Sequence, residues 1–467
     1  MERRNRKRKN LRRIRLKRLA VALSVVLVIL LTVAATLEDR NIRGEQPPAL
    51  NNPSIPQTES QDTRLPTEPP TEPPVHKIAT ATIASTGDLL LHQRVIDSGY
   101  DKETKTYNYD SIFNYFAEYV KKADYSVANM EGSLSGTDNG YKLSGYPRFN
   151  SPDEIVDAAK NAGFDMLLTA NNHTYDTKTT GFHRTQEVIA QRQLDYIGTR
   201  PNQEAKPYIV KDINGIKVGM VCYTYETQRQ SNGNKSLNGI SLNTTDSKLL
   251  SSFNYDYLNQ FYEQLAEELE AMRAEGAECT VVYIHWGSEY KTTPNARQEK
   301  ISQQLCNLGV DIIVGGHAHV VQPIRVLQSE NDPNKNTLCL YSMGNAVSNI
   351  RLSSTRPAHT EDGMLFSFTL AKYSDGSVVI ESCDVLSTWV NRHKKASIGN
   401  KEVFEIVPLD ESVEDWRTAF ELDDSTFKQA KDSLERSKKV LQEGLDAANA
   451  FYSQQQAAHE IAIGVVK

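Results

Sequence analysis

Two histidines follow a glycine pair at the end of an apolar run. The run Val310–Val314 leads into Gly315-Gly316-His317-Ala318-His319, so both imidazoles are expected just past a buried strand. Glycine permits a sharp turn at that point, and neutral imidazole is the commonest nitrogen ligand of divalent metals. The segment therefore predicts a turn that presents His317 and His319 to a metal ion. A turn with two solvated histidines would use the same residues.

Other polar groups also follow apolar, strand-like runs. They are Asp88 after Gly87, Glu131 in Asn129-Met130-Glu131, the pair Asn172-His173, and His285 before Trp286-Gly287. Ligands of open α/β sheets bind beyond the carboxyl ends of the strands. We therefore expect these groups to converge with His317 and His319 at one edge of a sheet core. Each group has an ordinary alternative, as the cap of a turn or as a hydrogen-bonded residue without metal.

The order of the predicted elements indicates a layered fold. Strands and helices alternate from Lys77 to Val314, and three strand-like runs then follow between residues 337 and 385. A β-rich end after alternating units favours an α/β sandwich over a barrel. Leu249–Ala274 is predicted as one long helix, and the chain becomes helical again after Pro408. Residues 77–408 are thus predicted as one folded domain, and 409–467 as a helical extension that either packs on it or mediates assembly.

The first 37 residues predict a membrane anchor. Residues 1–18 hold eleven Lys or Arg and one Glu, whereas residues 19–37 carry no charge. At about 1.5 Å per residue, this apolar segment matches the hydrocarbon thickness of a bilayer. Because the positive flank stays in the cytoplasm, we expect a single-pass protein of the cell membrane whose main domain is extracellular. A cleaved signal peptide that ends near Val33-Ala34-Ala35 is the alternative.

The segment between the anchor and the folded domain has the composition of a stalk. Residues 38–76 are rich in Pro and Thr and contain the near-repeat Leu65–Pro74. Such a composition cannot bury a core and is typical of an extended, partly polyproline-like chain. We expect it to hold the domain away from the membrane.

Charge and cysteine content restrict the partners. The chain carries a net charge of −6, so the +10 of the basic tail leaves −16 for the rest. This acidic remainder argues against nucleic acid as a partner and requires that an anionic substrate be met locally, for instance by a metal. The five cysteines form no C-x-x-C pair and are typical of buried thiols, although one extracellular disulfide is compatible with the sequence.

Taken together, the motifs resemble a known family. They occur in the order Gly87-Asp88, Asn129–Gly132, Asn171–Asp176, His285–Tyr290, Gly316–Pro323 and Ser342–Asn345. The series is similar to that of the CapA family, which is associated with poly-γ-glutamate capsule synthesis and has a calcineurin-like metallophosphoesterase fold. The resemblance spans residues 77 to 386. It implies an α/β/β/α sandwich, and the family usually carries an N-terminal membrane anchor.

The resemblance also implies roles for individual residues. The implied ligands of one or two divalent ions (Mn, Zn or Fe) are Asp88, Glu131, Asn172, His285, His317 and His319. His173 would act on the leaving group and Asp176 would orient its imidazole. Carboxylates would balance the charge of the ions, and imidazoles would leave positions open for water and substrate. The residues implied to support these ligands or contact the substrate are Glu289, Gln322, Asn345 and His92.

One departure bears on the number of ions. The phosphoesterase pattern begins Asp-x-His, but position 90 of this chain is Leu. One of the two metal positions therefore lacks a ligand, with His92 as its candidate replacement. Two classes of function remain. The first is an extracellular metal-dependent hydrolase that acts on a phosphoester or on the γ-glutamyl polymer. The second is a non-catalytic scaffold that holds the anionic polymer or the membrane-bound synthase subunits.

Overall fold

The computed structural model describes residues 75–138, 140–353, 358–396 and 399–462. The predicted basic tail, the predicted anchor 19–37 and all but the last two residues of the predicted stalk lie outside these ranges. Across the ranges that are described, no helix combines the length and the apolar character needed to cross a bilayer. All five cysteines lie within the described part and are buried as free thiols.

The strands, in chain order, are β1 (Lys77–Leu89), β2 (Tyr125–Met130), β3 (Met166–Leu168), β4 (Asp195–Ile197), β5 (Tyr208–Ile213), β6 (Ile216–Tyr225), β7 (Ser236–Leu237), β8 (Ile240–Ser241), β9 (Ser252–Phe253), β10 (Cys279–His285), β11 (Ile312–Gly316), β12 (Ile324–Gln328), β13 (Asn336–Leu340), β14 (Asn345–Val347), β15 (Asp362–Tyr373), β16 (Val378–Lys395) and β17 (Lys401–Pro408). The helices are α1 (Gln93–Gly99), α2 (Ala117–Val120), α3 (Glu154–Ala162), α4 (Lys178–Gln191), α5 (Thr244–Leu249), α6 (Leu258–Ala274), α7 (Ala296–Asn307), α8 (Trp416–Ala419) and α9 (Asp424–Ala462), with a 3₁₀ turn at Asp110–Phe113.

Two mixed sheets form the centre of the molecule. The first has the order β17-β16-β15-β1-β2-β3-β4, with β14 also paired to β1. The second has the order β12-β13-β11-β10-β6-β5, with β9 paired to β6. In each sheet the central strands are parallel, β1 to β2 and β3 in one and β6 to β10 and β11 in the other. Their carboxyl ends therefore form one edge of each sheet.

The core lies between the two sheets and continues on their outer faces. Apolar side chains of β1, β2 and β15 pack against those of β6, β10 and β11 in one buried cluster. A second cluster joins the first sheet to α1 and α3, and a third joins the second sheet to α6 and α7. The predicted α/β/β/α order of layers is confirmed, because each sheet buries both faces and needs a helical layer outside.

The predicted long helix over Leu249–Ala274 is wrong. Helix α5 ends at Leu249, and Ser252–Phe253 then pairs with β6 before α6 begins at Leu258. The buried Glu226 carboxylate accepts hydrogen bonds from Ser252 Oγ (3.1 Å) and Asn254 Nδ2 (3.3 Å). These tertiary bonds, together with burial of Phe253, favour an extended segment over the helix that the local sequence prefers.

The C-terminal helix α9 packs on the sandwich. Leu441, Ala448 and Tyr452 belong to the cluster between the sheets. Near its start, Arg436 makes two hydrogen bonds of 2.7 Å to the buried Asp362 carboxylate of β15. Of the two arrangements that the sequence allowed for this segment, packing on the core is the one observed.

Replacing Leu441 by Ala should destabilise the protein. The Leu441 side chain is 2 % exposed, and a buried Leu→Ala change costs about 2–5 kcal/mol of unfolding free energy. Chemical denaturation of the full chain measures this loss. Glu443→Ala, on the exposed side of the same helix, is the control and should change stability by no more than about 0.5 kcal/mol. Equal effects of the two changes would contradict the observed packing of α9.

Candidate metal centre

The site is built where the parallel strands of both sheets end. Asp88 is the penultimate residue of β1, and Glu131 directly follows β2. His285 is the last residue of β10, and His317 directly follows β11. One sheet thus supplies the carboxylates and the other supplies imidazoles. The expected convergence at strand ends follows from this shared orientation of the two sheets.

Close backbone approaches at two glycines bring these strand ends together. A Cβ atom at Gly87 would lie 1.8 Å from the carbonyl oxygen of Gly344, so only glycine lets β14 pair there with β1. A Cβ atom at Gly315 would lie 2.0 Å from the carbonyl oxygen of Tyr341. The buried Trp286 indole donates to that same oxygen over 3.0 Å. Both contacts fix the ends of the strands that carry the site residues.

His317 and His319 both have left-handed backbone conformations. Their φ angles are +86° and +56°, which non-glycine residues rarely adopt. Such a conformation costs on the order of 1–3 kcal/mol at each residue and clusters at functional sites. The strain is consistent with a turn shaped to direct two imidazoles to one place.

The first group of site residues surrounds His285. Its Nε2 atom lies 2.8 Å from Asn172 Oδ1, 3.2 Å from His317 Nδ1 and 3.8 Å from Glu131 Oε1. These four side chains are at least nine-tenths buried. Burial lowers the pKa of His285 and His317 well below 6.5, and the neighbouring histidines add to the effect. Both imidazoles are therefore neutral, which is the form that binds metal.

The second group joins Asp88 to His319. His319 Nδ1 lies 3.1 Å from Asp88 Oδ2 and 3.0 Å from Asn345 Oδ1. The other oxygen of Asp88 accepts a 2.7 Å hydrogen bond from Asn129. Burial alone would lower the pKa of His319, but the hydrogen bond and charge of Asp88 outweigh it and raise that pKa. Glu131 Oε1 lies 3.9 Å from His319 Nε2 and so links this group to the group around His285.

Glu131 is a buried carboxylate without a hydrogen-bond partner in the described structure. Its carboxylate is fully buried, and neither oxygen has a hydrogen-bond partner among the described residues. Burial and the adjacent Asp88 raise its pKa well above 4.5. Ligand atoms of Asp88, Glu131 and His285 all lie within 4.8 Å of one another. Because an unpaired buried carboxylate is costly, this arrangement fits a divalent cation bound between these side chains.

His173 lies beside the cluster and is held by Asp176. Their Nδ1 and Oδ2 atoms are 2.7 Å apart, and the same oxygen accepts a 2.7 Å hydrogen bond from the Phe149 amide. The Phe149 ring packs edge-on against His173. The Asp176 carboxylate therefore holds the His173 imidazole in one orientation.

The structure also shows the surroundings of Leu90, His92 and Asn345. Leu90 is buried in an apolar cluster with Phe149 and Ile350. His92 packs on the same Phe149 ring, and its Nδ1 atom accepts a hydrogen bond from the Asn349 amide at 3.5 Å. Asn345 lies against His319, with its Oδ1 atom 3.0 Å from His319 Nδ1.

Two residues expected to support the site do so differently or at a distance. Glu289 is exposed, and no hydrogen bond joins it to any of the three clustered histidines in the described structure. Its charge nevertheless helps to raise the pKa of Glu131. Gln322 hydrogen-bonds to Gln298 and to the Lys291 carbonyl, so it anchors the loop that follows β10.

Three asparagines that the sequence did not mark as site residues organise the cluster. Asn129 holds Asp88, and Asn171 donates to the Met130 carbonyl while accepting from the His173 amide. Asn238 Oδ1 accepts a hydrogen bond from Asn172 Nδ2 at 3.4 Å, and Asn238 Nδ2 lies 3.4–3.5 Å from the ring nitrogens of His173. The dipeptide Asn238-Gly239, a strong signal for a two-residue hairpin turn, could have identified the last of these.

Known proteins share this sequence pattern. A sequence model described as "Bacterial capsule synthesis protein PGA_cap" matches residues 82–350. The chain is 29% identical over 269 residues to the "Capsule biosynthesis protein CapA" of Bacillus anthracis, a match that covers 57% of this chain and 59% of that protein. It is 26% identical over 345 residues to the "PGA biosynthesis protein CapA" of Bacillus subtilis (strain 168), covering 73% of this chain and 82% of that protein.

The match thus spans less than two thirds of the Bacillus anthracis relative. Among solved structures, the calcineurin-like phosphoesterase YfkN from Bacillus subtilis is similar at 13% identity with a TM-score of 0.37. That alignment covers 77% of this chain and 99% of the other. A likeness this distant assigns no roles to individual residues.

Replacing Glu131 by Gln should alter how the stability of the metal-stripped protein depends on pH. Folding raises the pKa of Glu131 above 4.5, so the folded protein keeps a proton that the unfolded chain loses. The free energy of unfolding therefore falls as pH rises above about 4.5. The variant lacks this carboxyl. As the pH rises, its free energy of unfolding should therefore increase relative to that of the unchanged protein, by up to about 1.4 kcal/mol per pH unit.

Urea titrations between about pH 5 and 7 measure this difference. His285 and His317 contribute the opposite pH dependence to both proteins. Subtracting the stability of one protein from that of the other therefore removes their contribution. Glu443→Gln removes an exposed carboxylate and serves as the control. Stability curves of Glu131→Gln and the unchanged protein that run parallel across this pH range would show that Glu131 is not held as an uncompensated carboxyl.

Proposed function

Because this chain belongs to the bacterial capsule synthesis protein family PGA_cap, we propose that it acts in the synthesis or export of a poly-γ-glutamate capsule. The proposal includes a divalent-metal site of phosphoesterase type at the strand ends. It is supported by the two CapA relatives and by the donor set of the site. The observation that carries the metal site is the fully buried Glu131 carboxylate without a hydrogen-bond partner in the described structure.

The donors favour one well-held ion. Glu131, Asn172, His285 and His317 supply a carboxylate oxygen, an amide oxygen and two neutral imidazoles around a common centre. The group around Asp88 and His319 is smaller, because Leu90 fills the position at which a further histidine ligand was expected. Manganese, zinc and iron all accept this mixture of oxygen and nitrogen ligands. When bound, such an ion supplies Lewis acidity that polarises a phosphoryl or carbonyl oxygen.

His173 is proposed as the proton donor to the leaving group. Its Nδ1 atom is committed to Asp176, so the proton that moves is on Nε2. The ring is 7 % exposed and its position beside Asn172 keeps it near any substrate that reaches the ligands. Two classes of substrate are compatible with this arrangement. One is a phosphoester, which includes other phosphoesters of the cell envelope, and the other is the γ-glutamyl polymer itself.

A non-catalytic scaffold is the second candidate. The specific observation in its favour is Leu90, which places an apolar cluster where the phosphoesterase pattern has a metal ligand. In this alternative the domain holds the anionic polymer or the membrane-bound synthase subunits and does not turn over. The ion would then stabilise the fold by compensating Glu131.

Location is part of the proposal. The uncharged segment 19–37 after a basic tail supports a single-pass anchor in the cytoplasmic membrane, with the domain from Lys77 onward outside the cell. The acidic character of that domain supports partners other than nucleic acid.

The variants His317→Ala and His173→Ala should separate metal binding from catalysis. Removing His317 deletes a ligand, so the purified protein should lose most of its metal as measured by elemental mass spectrometry. Removing His173 should leave metal content unchanged and lower hydrolysis of a generic phosphoester about 10²–10⁴-fold, the range for a lost proton donor. Complementation of a capsule-deficient host provides the second readout.

The control for both variants is His459→Ala. His459 lies in α9, far from the cluster in sequence, and is hydrogen-bonded to Ser377. If both variants retain metal and both complement, the proposed catalytic site is contradicted and the scaffold remains. If His173→Ala alone complements, the metal is needed for structure but turnover is not.

Protease accessibility tests the proposed topology. Protease added to intact, wall-stripped cells should digest the domain from Lys77 onward, because the positive flank orients the anchor with that domain outside. Immunoblotting with an antibody to the domain follows the loss. Complete protection until the cells are lysed would refute the extracellular location.

A further inference from the structure

The hairpin of β7 and β8 reaches the metal centre from outside its predicted ligands. The two strands pair antiparallel, and Asn238 and Gly239 form the two-residue turn between them. The φ angles of these residues, +46° and +77°, belong to the hairpin turn that favours Asn-Gly. Asn238 is exposed at the tip, whereas Asn172 and His173 are buried. An exposed turn residue thus contacts two buried residues of the site.

The base of this hairpin is fixed by the protein core. Leu237 in β7 is 1 % exposed and belongs to the cluster between the sheets. The Thr227 hydroxyl donates a hydrogen bond to the Ser236 carbonyl at 3.1 Å and accepts one from the Gly239 amide at 3.3 Å. Because the strand before the turn and the turn itself are both held, folding sets the position of Asn238 relative to the site.

The orientation of the Asn172 amide decides whether it can bind a metal ion. Its Oδ1 atom lies 2.8 Å from His285 Nε2 and therefore faces the centre at which the predicted ligands converge. Rotation of the amide by half a turn would direct its two N–H donors there instead, and these offer no lone pair to a cation. A residue that holds the amide in the first orientation therefore affects how tightly an ion binds.

Asn238 supplies the contact that distinguishes the two orientations. Its Oδ1 atom accepts a hydrogen bond from Asn172 Nδ2 at 3.4 Å, and no other acceptor bonds to that nitrogen in the described part of the chain. After rotation of the Asn172 amide, its oxygen would face the Asn238 oxygen, and two acceptors would meet without a hydrogen between them. The Asn238 amide is itself oriented, since its Nδ2 atom lies 3.4–3.5 Å from the ring nitrogens of His173.

The turn by itself does not account for this contact. A second Asn-Gly turn, Asn214-Gly215 between β5 and β6, has similar φ angles of +52° and +85°. There the asparagine donates to the Thr80 carbonyl at 3.2 Å, near the opposite end of β1 from Asp88. The backbone conformation favours asparagine in both turns. What distinguishes Asn238 is that its side chain bonds to a predicted metal ligand.

We propose that Asn238 is a positioning residue of the metal centre and keeps the side-chain oxygen of Asn172 directed at the bound cation. It acts through Asn172 and needs no contact with the ion or with a substrate. The inference rests on the proposed metal site, because the orientation of the amide affects binding only where an ion is bound. The β7–β8 hairpin is in this way part of the site.

Titration of the metal-stripped full chain with Mn²⁺ in mild detergent tests this role, with the free ion measured by electron paramagnetic resonance. Asn238→Gly removes the acceptor but keeps the turn, because glycine readily adopts the left-handed conformation. Loss of a residue that orients a metal ligand typically weakens affinity about 10–100-fold. The hydrogen bond to Asn172 is long, at 3.4 Å, so we expect a loss at the lower end, about tenfold.

Two further variants serve as matched controls. Asn238→Asp keeps both the turn and an acceptor for Asn172 Nδ2, so it should bind Mn²⁺ at least as tightly as the unchanged protein. Asn214→Gly makes the same change in the other Asn-Gly turn and should leave the affinity unchanged. Urea titration of each variant in the metal-free state shows whether the fold is retained.

Asn172→Asp provides a background that separates orientation from a general effect on the fold. A carboxylate presents an oxygen on both sides, so its orientation needs no support from Asn238. Asn238→Gly should therefore weaken Mn²⁺ binding about tenfold in the unchanged protein, but by less than about twofold in Asn172→Asp.

An equal loss in both backgrounds overturns the proposal, because it would show a role in the fold and not in the orientation of the amide. Equal Mn²⁺ affinity of Asn238→Gly and the unchanged protein also overturns it, while the proposed metal site remains. An unchanged protein that binds neither Mn²⁺ nor Zn²⁺ nor Fe²⁺ in parallel titrations refutes the proposed metal site, and the inference with it.

Discussion

The structure depends on the burial of the Glu131 carboxylate at a point that no hydrogen-bond donor of the described chain reaches. A carboxylate in this position, next to the buried Asp88, opposes folding by several kcal/mol unless a proton or a cation compensates it. The surroundings are arranged for a cation. Two imidazoles are kept neutral by burial, and an asparagine directs its amide oxygen to the same centre. In the proposed metal site, folding and cation binding would therefore be coupled at this residue.

The sandwich makes this concentration of charge possible. The carboxylates come from one sheet and the imidazoles from the other, so the packed core between the sheets fixes the distance between them. Close backbone contacts at Gly87 and Gly315 set the strand ends, and left-handed conformations at His317 and His319 set the turn. Helix α9 lies against the same core. Nearly every side chain around the turn is buried, and this packing holds the turn in its strained backbone conformation.

An apolar cluster that includes Leu90 borders His173. Where the phosphoesterase pattern has a histidine, this chain has an apolar contact with Phe149 and Ile350. The Phe149 ring also packs against His173, and its amide helps to hold Asp176. The apolar cluster therefore supports the proposed proton donor, and Leu90 offers no ligand atom to the proposed metal site. Asp88 and His319 compensate by bonding to each other, which leaves the group around His285 as the more complete set of donors.

The sequence by itself determined the layered fold and the residues that meet at the strand ends, because both follow from local patterns. Apolar runs followed by Asp88, Glu131, Asn172, His285 and the turn at His317 each identify a strand and the group presented after it. Tertiary structure alone decided the rest. The break after Leu249 depends on Glu226, and the support of Asp88 and His173 depends on Asn129, Asn171 and Asn238. These are long-range contacts made by side chains that are common in turns, so no local pattern distinguishes them. The exposure of Glu289 and the anchoring role of Gln322 were likewise decided by how the loop after β10 packs.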